Sequence, residues 1–219
     1  MLSLQDLASN SLINAFIKKG NEHLGVMGYT DHGPLHIAIV SRVSREILLR
    51  LGYDERRAEL AGMAAYLHDL GNVVNRNGHS QSGALMAFRI LHDLNMDPEE
   101  IAVITAAIGN HDEGSGHPVS EVAAALILAD KSHVHRNRVR NPDIANFDIH
   151  DRVNYAVNHS IINIDEQARI ISMELSIDTK VCPVMEYFEI FLSRMLLCRR
   201  AAGFLGCEFE LLINEVRLL

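Results

Sequence analysis

The stretch AAYLHDLGNVVNRNGHS (64–80) carries an apolar helical pattern straight into His68-Asp69, turns at Gly71 and reaches His79. An imidazole and a carboxylate at the end of a helix whose other residues read as core need a reason to be there. His36, His111 and Asp130 share the placement, at helix ends or on apolar helical faces. Asp130 lies in AALILADKS, where an ionised carboxylate among Ala, Leu and Ile is costly to bury unpaired, and a cation removes that cost. Imidazole nitrogen with carboxylate oxygen suits divalent Mn, Fe, Co, Ni or Zn, with Mg as the oxygen-preferring alternative. The six groups His36, His68, Asp69, His79, His111 and Asp130 exceed what one open site needs, so two metals per chain are expected, with Asp69 between them as a bridge.

Helices must bring these groups together. A first helix is expected over residues 3–28 and a second from His36 to Leu51, stopped by Gly52. Asp54 caps a third, 55–69; a fourth covers 79–94; Asp97-Pro98-Glu99-Glu100 opens a fifth that runs to about His111. After GSGHP a sixth spans about 119–137. His36 to His79, Asp54 to Asp97 and His68-Asp69 to His111-Asp112 are equally spaced, so each half offers a histidine at a helix start and a His-Asp pair at the next helix end.

The pattern changes near residue 141. A short helix is expected around 151–158, then two strands hinged at Asp165 to Gln167, where Met173, Leu175 and Ile177 alternate with polar residues. Pro183 opens a long apolar helix to about Ala202, and Cys207, Phe209, Leu211 and Ile213 mark a third strand. The fold class is therefore mainly α: a helical bundle core over 1–140, and a C-terminal α+β extension over 141–219 with a small antiparallel sheet packed on the long helix. The apolar stripe Phe188, Phe191, Leu192 and Met195 reads as core, and part of it could cover a subunit interface, giving a homodimer.

The net charge of −8 argues against general nucleic-acid binding. No basic leader with a small-residue cleavage site opens the chain, and no apolar stretch has the roughly 18 residues a membrane span needs, so a cytoplasmic protein without membrane contact is expected. The three cysteines share no CxxC spacing and suggest neither a disulfide framework nor a thiolate zinc site.

The ordered set H…HD…H…H…D, carried by DHGPLH (31–36), YLHDLGN (66–72), NGHSQSGA (77–84), GNHDEGSG (109–116) and LILADKS (126–132), resembles the HD-domain metal-dependent phosphohydrolase superfamily over roughly residues 30–140. The resemblance implies that His36, His68, Asp69 and Asp130 hold one metal, and Asp69, His79 and His111 the second. The ordering is most similar to binuclear branches such as the diadenosine tetraphosphate hydrolases. HD-GYP cyclic-dinucleotide phosphodiesterases match less well: His117 stands in place of their tyrosine, Asn72 in place of their lysine, and Asp112 in place of an adjacent histidine.

The implied activity is hydrolysis of a phosphate ester or anhydride in a nucleotide-like molecule by a hydroxide held between the metals. Asp69 is then a catalytic as well as a metal-binding residue. With Asn72 in place of the lysine, Arg76 or Lys131 is left to supply the cation at the transition state, and Asp112, Glu113 or a histidine to protonate the leaving oxygen. In KSHVHRNRVR (131–140), Lys131, Arg136, Arg138 and Arg140 are expected to read substrate phosphates, with Lys131 and Arg138 on one face if the helix continues. Asp31 and His32, before His36, are candidates for orienting a ligand from behind. The alternative is a non-catalytic metal- or nucleotide-binding sensor or scaffold on the same fold.

Overall fold

The computed structural model describes residues 1–218. Its order is α1 (Leu4–Ala8), α2 (Ser11–Val26), α3 (Pro34–Arg50), α4 (Glu55–Leu67), α5 (His79–Asp93), α6 (Pro98–Gly109), α7 (Glu121–Ser132), α8 (Ile149–Ala156), β1 (Val157–Asp165), β2 (Ile170–Ile177), α9 (Val184–Phe204), β3 (Glu208–Ile213) and β4 (Val216–Arg217).

Side-chain caps fix most helix starts. Asp54 accepts from the Arg57 N–H, Asp97 from those of Glu99 and Glu100, and Ser120 from that of Ala123. The single first helix expected over 3–28 is two: α1 ends at Ser9, and Asn10 takes up the N–H groups of Leu12 and Ile13 to start α2. The expected helix over 119–137 stops at Ser132, because His133 leaves helical geometry at ψ 76°, and a 3-10 turn over Arg136–Arg138 follows.

α7 is the central rod. Every residue from Val122 to Ala129 is buried, and α3, α4, α6 and α9 pack round it. An all-round apolar helix of this kind is what a core demands. α4 lies close to α3 because it presents Ala58, Ala61, Gly62 and Ala65, and the Ser41 hydroxyl reaches the Gly62 carbonyl at 2.7 Å.

The C-terminal sheet has the order β1-β2-β3-β4. β1 and β2 form the expected hairpin, with the Asp165 carboxylate accepting from the Gln167 and Ala168 N–H groups in the turn. The sheet is mixed and not wholly antiparallel: β2 and β3 run parallel, since the long α9 between them is a crossover and not a tight turn. Ile171, Met173, Leu175, Phe209, Leu211 and Ile213 bury the face toward α9. One continuous apolar core runs from Leu7 to Ile213, across residue 140. Among the described residues no helix is long and apolar enough to cross a membrane.

Candidate metal centre

The first turn of α3 supplies His36, the end of α4 and the 3-10 turn at Leu70–Val73 frame His68 and Asp69, the start of α5 gives His79, the loop after α6 gives His111, and the last turn of α7 gives Asp130. These side chains meet in the interior. The His36 Nε2 lies 3.4 Å from the His68 Nε2, 3.4 Å from an Asp130 oxygen and 3.8 Å from Asp69 Oδ2. The His68 Nε2 is 3.4 Å from Asp69 Oδ2 and 3.6 Å from Asp130 Oδ1. On the other side of Asp69, His79 Nε2 is 3.6 Å from Oδ1 and 3.1 Å from the His111 Nε2. His36, His68 and Asp130, and likewise His68, Asp69 and His111, each offer ligand atoms within 4.8 Å of one another, so His68 also reaches the second group.

The rings are pre-oriented. The Nδ1 of His68, His79 and His111 faces a backbone carbonyl, of Ala65 at 2.7 Å, Arg76 at 3.0 Å and Ile108 at 2.6 Å respectively. Each carbonyl accepts from an Nδ1–H, so Nε2 is the atom aimed inward. His36 differs, because its Nδ1 meets the Nδ1 of His133 at 2.9 Å.

A divalent cation fits this donor set. Bonds of about 2.1 Å place neighbouring donors roughly 3.0–3.4 Å apart, close to the spacings found. Asp69 Oδ1 accepts from Asn72 Nδ2 at 2.7 Å, but Oδ2 is buried with no hydrogen-bond donor, a costly state for an ionised oxygen unless a cation answers it. The electrostatics agree. Burial opposes charge on His68, yet the Asp69 and Asp130 carboxylates push it up to about 10. Burial likewise opposes charge on Asp69, but His68 holds it well below the usual carboxylate range. The two carboxylates draw positive charge to the space between them, where His68 sits.

Around this core the other candidates divide. Arg76 Nη1 lies 3.4 Å from His79 Nε2 and 3.8 Å from Asp69 Oδ1. Lys131 is buried, 2.8 Å from Asp130 Oδ2 and 2.7 Å from Glu113 Oε2; burial pulls its pKa down, but the two carboxylates raise it overall. Asp112 is half-buried, and its charge is felt at His79. His32 packs edge-on against His36 with ring centres 5.4 Å apart, and the Asp31 carboxylate shapes the loop by accepting from Gly33 N and Asn21 Nδ2.

Because α7 ends at Ser132, Lys131 and Arg138 do not share a helical face. Arg138 is buried and donates to the carbonyls of Asp31 and His133, with Nη2 left unpartnered. Arg136 stacks on Tyr155, and Arg140 reaches Asn21 and Asp31. Neither guanidinium contacts a ligand candidate, although the buried Nε of Arg136 has no hydrogen-bond partner.

Two participants escape the sequence patterns. His133 sits among basic residues whose charge dominates the reading of that run; its place three residues beyond Asp130 is the only cue. Arg194, from α9, binds Glu113 at 2.7 Å and so ties the C-terminal helix to Lys131. Nothing local marks it.

Comparison with known proteins agrees with the geometry. Residues 35–134 match the family model described as the HD domain, a span that contains all six clustered ligand candidates. An uncharacterized protein of Methanocaldococcus jannaschii is 30% identical over 168 residues, 66% of this chain, and the match spans 64% of that relative's length.

Proposed function

Residues 35–134 form an HD domain, and from that premise we propose that the chain is a metal-dependent phosphohydrolase that cleaves a phosphate ester or anhydride of a small nucleotide-like molecule with two divalent transition-metal ions. His36, His68, Asp69 and Asp130 would hold one ion, and Asp69, His79 and His111 the other. The observation that carries this reading is the Asp69 carboxylate: one oxygen faces His36 and His68 without a hydrogen-bond donor, while the other faces His79. Ions there supply an activated water and neutralise charge on the phosphoryl group.

The protein's own groups do the rest. The carbonyls behind His68, His79 and His111 hold the Nδ1 protons and so aim each Nε2 at the ions. Arg76, beside Asp69, and Lys131, beside Asp130, receive phosphate oxygens and stabilise their growing charge. The free Nη2 of Arg138 is a third donor of the same kind. Asp112, near His79, is the carboxyl group that would pass a proton to the leaving oxygen after taking one up from the attacking water.

The test is turnover with Mn or Fe supplied, on nucleoside mono- and triphosphates and dinucleoside polyphosphates. Metal-dependent release of phosphate or nucleotide product is the expected result. Nucleotide-stabilised melting with no product, even at high protein concentration, refutes hydrolysis and favours the sensor.

A further inference from the structure

The solvent side of α9 carries a pattern that the metal centre does not use. Tyr187, Phe191, Met195, Cys198, Ala201 and Ala202 bury one face. The opposite face presents Met185, Glu189, Leu192, Leu196, Arg199 and Gly203, all exposed, at alternating spacings of four and three residues. That alternation is the seam of a coiled coil. Met185, Leu192 and Leu196 are 67%, 51% and 40% exposed, and among the described residues neither Glu189 nor Arg199 has an ion-pair partner within the chain. Single exposed leucines are ordinary. An exposed leucine pair bracketed by unpaired opposite charges, with Met185 and Gly203 beyond them on the same line, is not accounted for by the packing of α9 in this chain.

The order along the stripe is complementary about residue 194. Counting outward from that level, Leu192 answers Leu196, Glu189 answers Arg199 and Met185 answers Gly203. The geometry points to α9 as the two-fold interface of a homodimer in which the two helices pack antiparallel. Each leucine then meets a leucine of the other copy, each Glu189 meets an Arg199, and each Met185 enters the space over a Gly203, where nothing lies within 4 Å of a would-be Cβ. Parallel pairing would set Glu189 on Glu189 and Arg199 on Arg199, so the charges choose the direction as well as the partner. The inward side of the same helix carries Arg194 to Glu113, so the paired element is also the one that braces Lys131.

Sedimentation equilibrium of the full chain over a range of concentrations tests this. The expected mass is twice the 24.4 kDa of one chain. Glu189→Arg or Arg199→Glu alone creates two repulsive pairs per dimer and should raise the dimer Kd by at least about tenfold, roughly 1.4 kcal/mol. The double reversal E189R/R199E should restore it to near the starting value. Circular dichroism melts of all three variants should match the parent measured below the dimer Kd, since both side chains are exposed. A monomer at every concentration overturns the proposal. So does a dimer indifferent to the single reversals, or one the double reversal fails to rescue.

Discussion

Asp69 and His133 each make a claim at the scale of a single side chain. If both Asp69 oxygens serve cations, Asp69→Ala removes a ligand from two ions at once. Elemental analysis of freshly purified variant should show metal per chain falling close to zero, with activity down at least about 100-fold. Unchanged metal content would refute the bridge. His133 acts one step back. Of two Nδ1 atoms 2.9 Å apart, one must donate and the other accept. His36 can offer a bare Nε2 to an ion held by Asp69 and Asp130 only if its proton sits on Nδ1 and His133 accepts it. His133→Leu should therefore weaken metal binding, measured by titration calorimetry, by about 10–100-fold. His133→Asn, whose amide oxygen can accept the same proton, should recover most of that loss. Equal weakening in both variants would reduce His133 to packing. Arg138 turns out to be a tether between Asp31 and His133, in addition to any contact its free nitrogen makes with phosphate.

Among the elements, the turn after α4 and the first turn of α5 set the distance between the two ligand groups. A Cβ on Gly71 would overlap the His79 carbonyl oxygen and press on Ser82 and Gly83 N, so only glycine lets the His68-Asp69 turn lie against the start of α5. Gly71→Ala should cost more than about 3 kcal/mol in denaturant unfolding and lower metal retention with it. Gly114 is its counterpart by spacing in the second half, where a Cβ meets nothing closer than Asp112 Oδ2 at 3.4 Å. Gly114→Ala should stay within about 0.5 kcal/mol, and comparable losses in both would refute this account of the packing. These helices were legible in the sequence because Asp54 and Asp97 announce their starts and apolar periodicity their lengths. The ligands were legible for a related reason: a charge such as Asp130 inside an apolar run is conspicuous. The break at Ser9-Asn10 was not, since apolar residues continue on both sides of it. Nor was the stop after Ser132, which no glycine or proline marks. The parallel β2-β3 pairing follows from where α9 returns the chain, and the Arg194–Glu113 pair joins residues far apart in sequence; alternation and local spacing carry neither.

For the molecule as a whole, the cluster fixes the direction in which stability depends on pH. Burial, with the Arg138 charge beside it, pushes His36 down to about 4 and His133 down to about 2; burial also lowers His32, His79 and His111. In the unfolded chain these rings titrate near 6.5. Between about pH 6.5 and pH 4 the unfolded state of metal-free protein therefore binds more protons than the folded state, and stability falls as the solution is acidified through that range. His68 is shifted the other way, to about 10. Its stabilisation is complete below about 6.5 and fades only as the pH climbs toward 10, so it adds no slope in the acid window. Asp69 and Asp130, held well below the usual range, stay ionised in both states until about pH 5, and below that they steepen the same fall. Metal sharpens the effect, since a ligand imidazole must be deprotonated to bind. Chelator-treated protein should show a urea midpoint that drops steadily from pH 7 to pH 4.5, and added Mn should raise the midpoint far more at pH 7 than at pH 4.5. A midpoint that holds level or rises on acidification would mean that His36, His79 and His111 are charged in the fold, and they could not then be the neutral donors on which the metal centre depends.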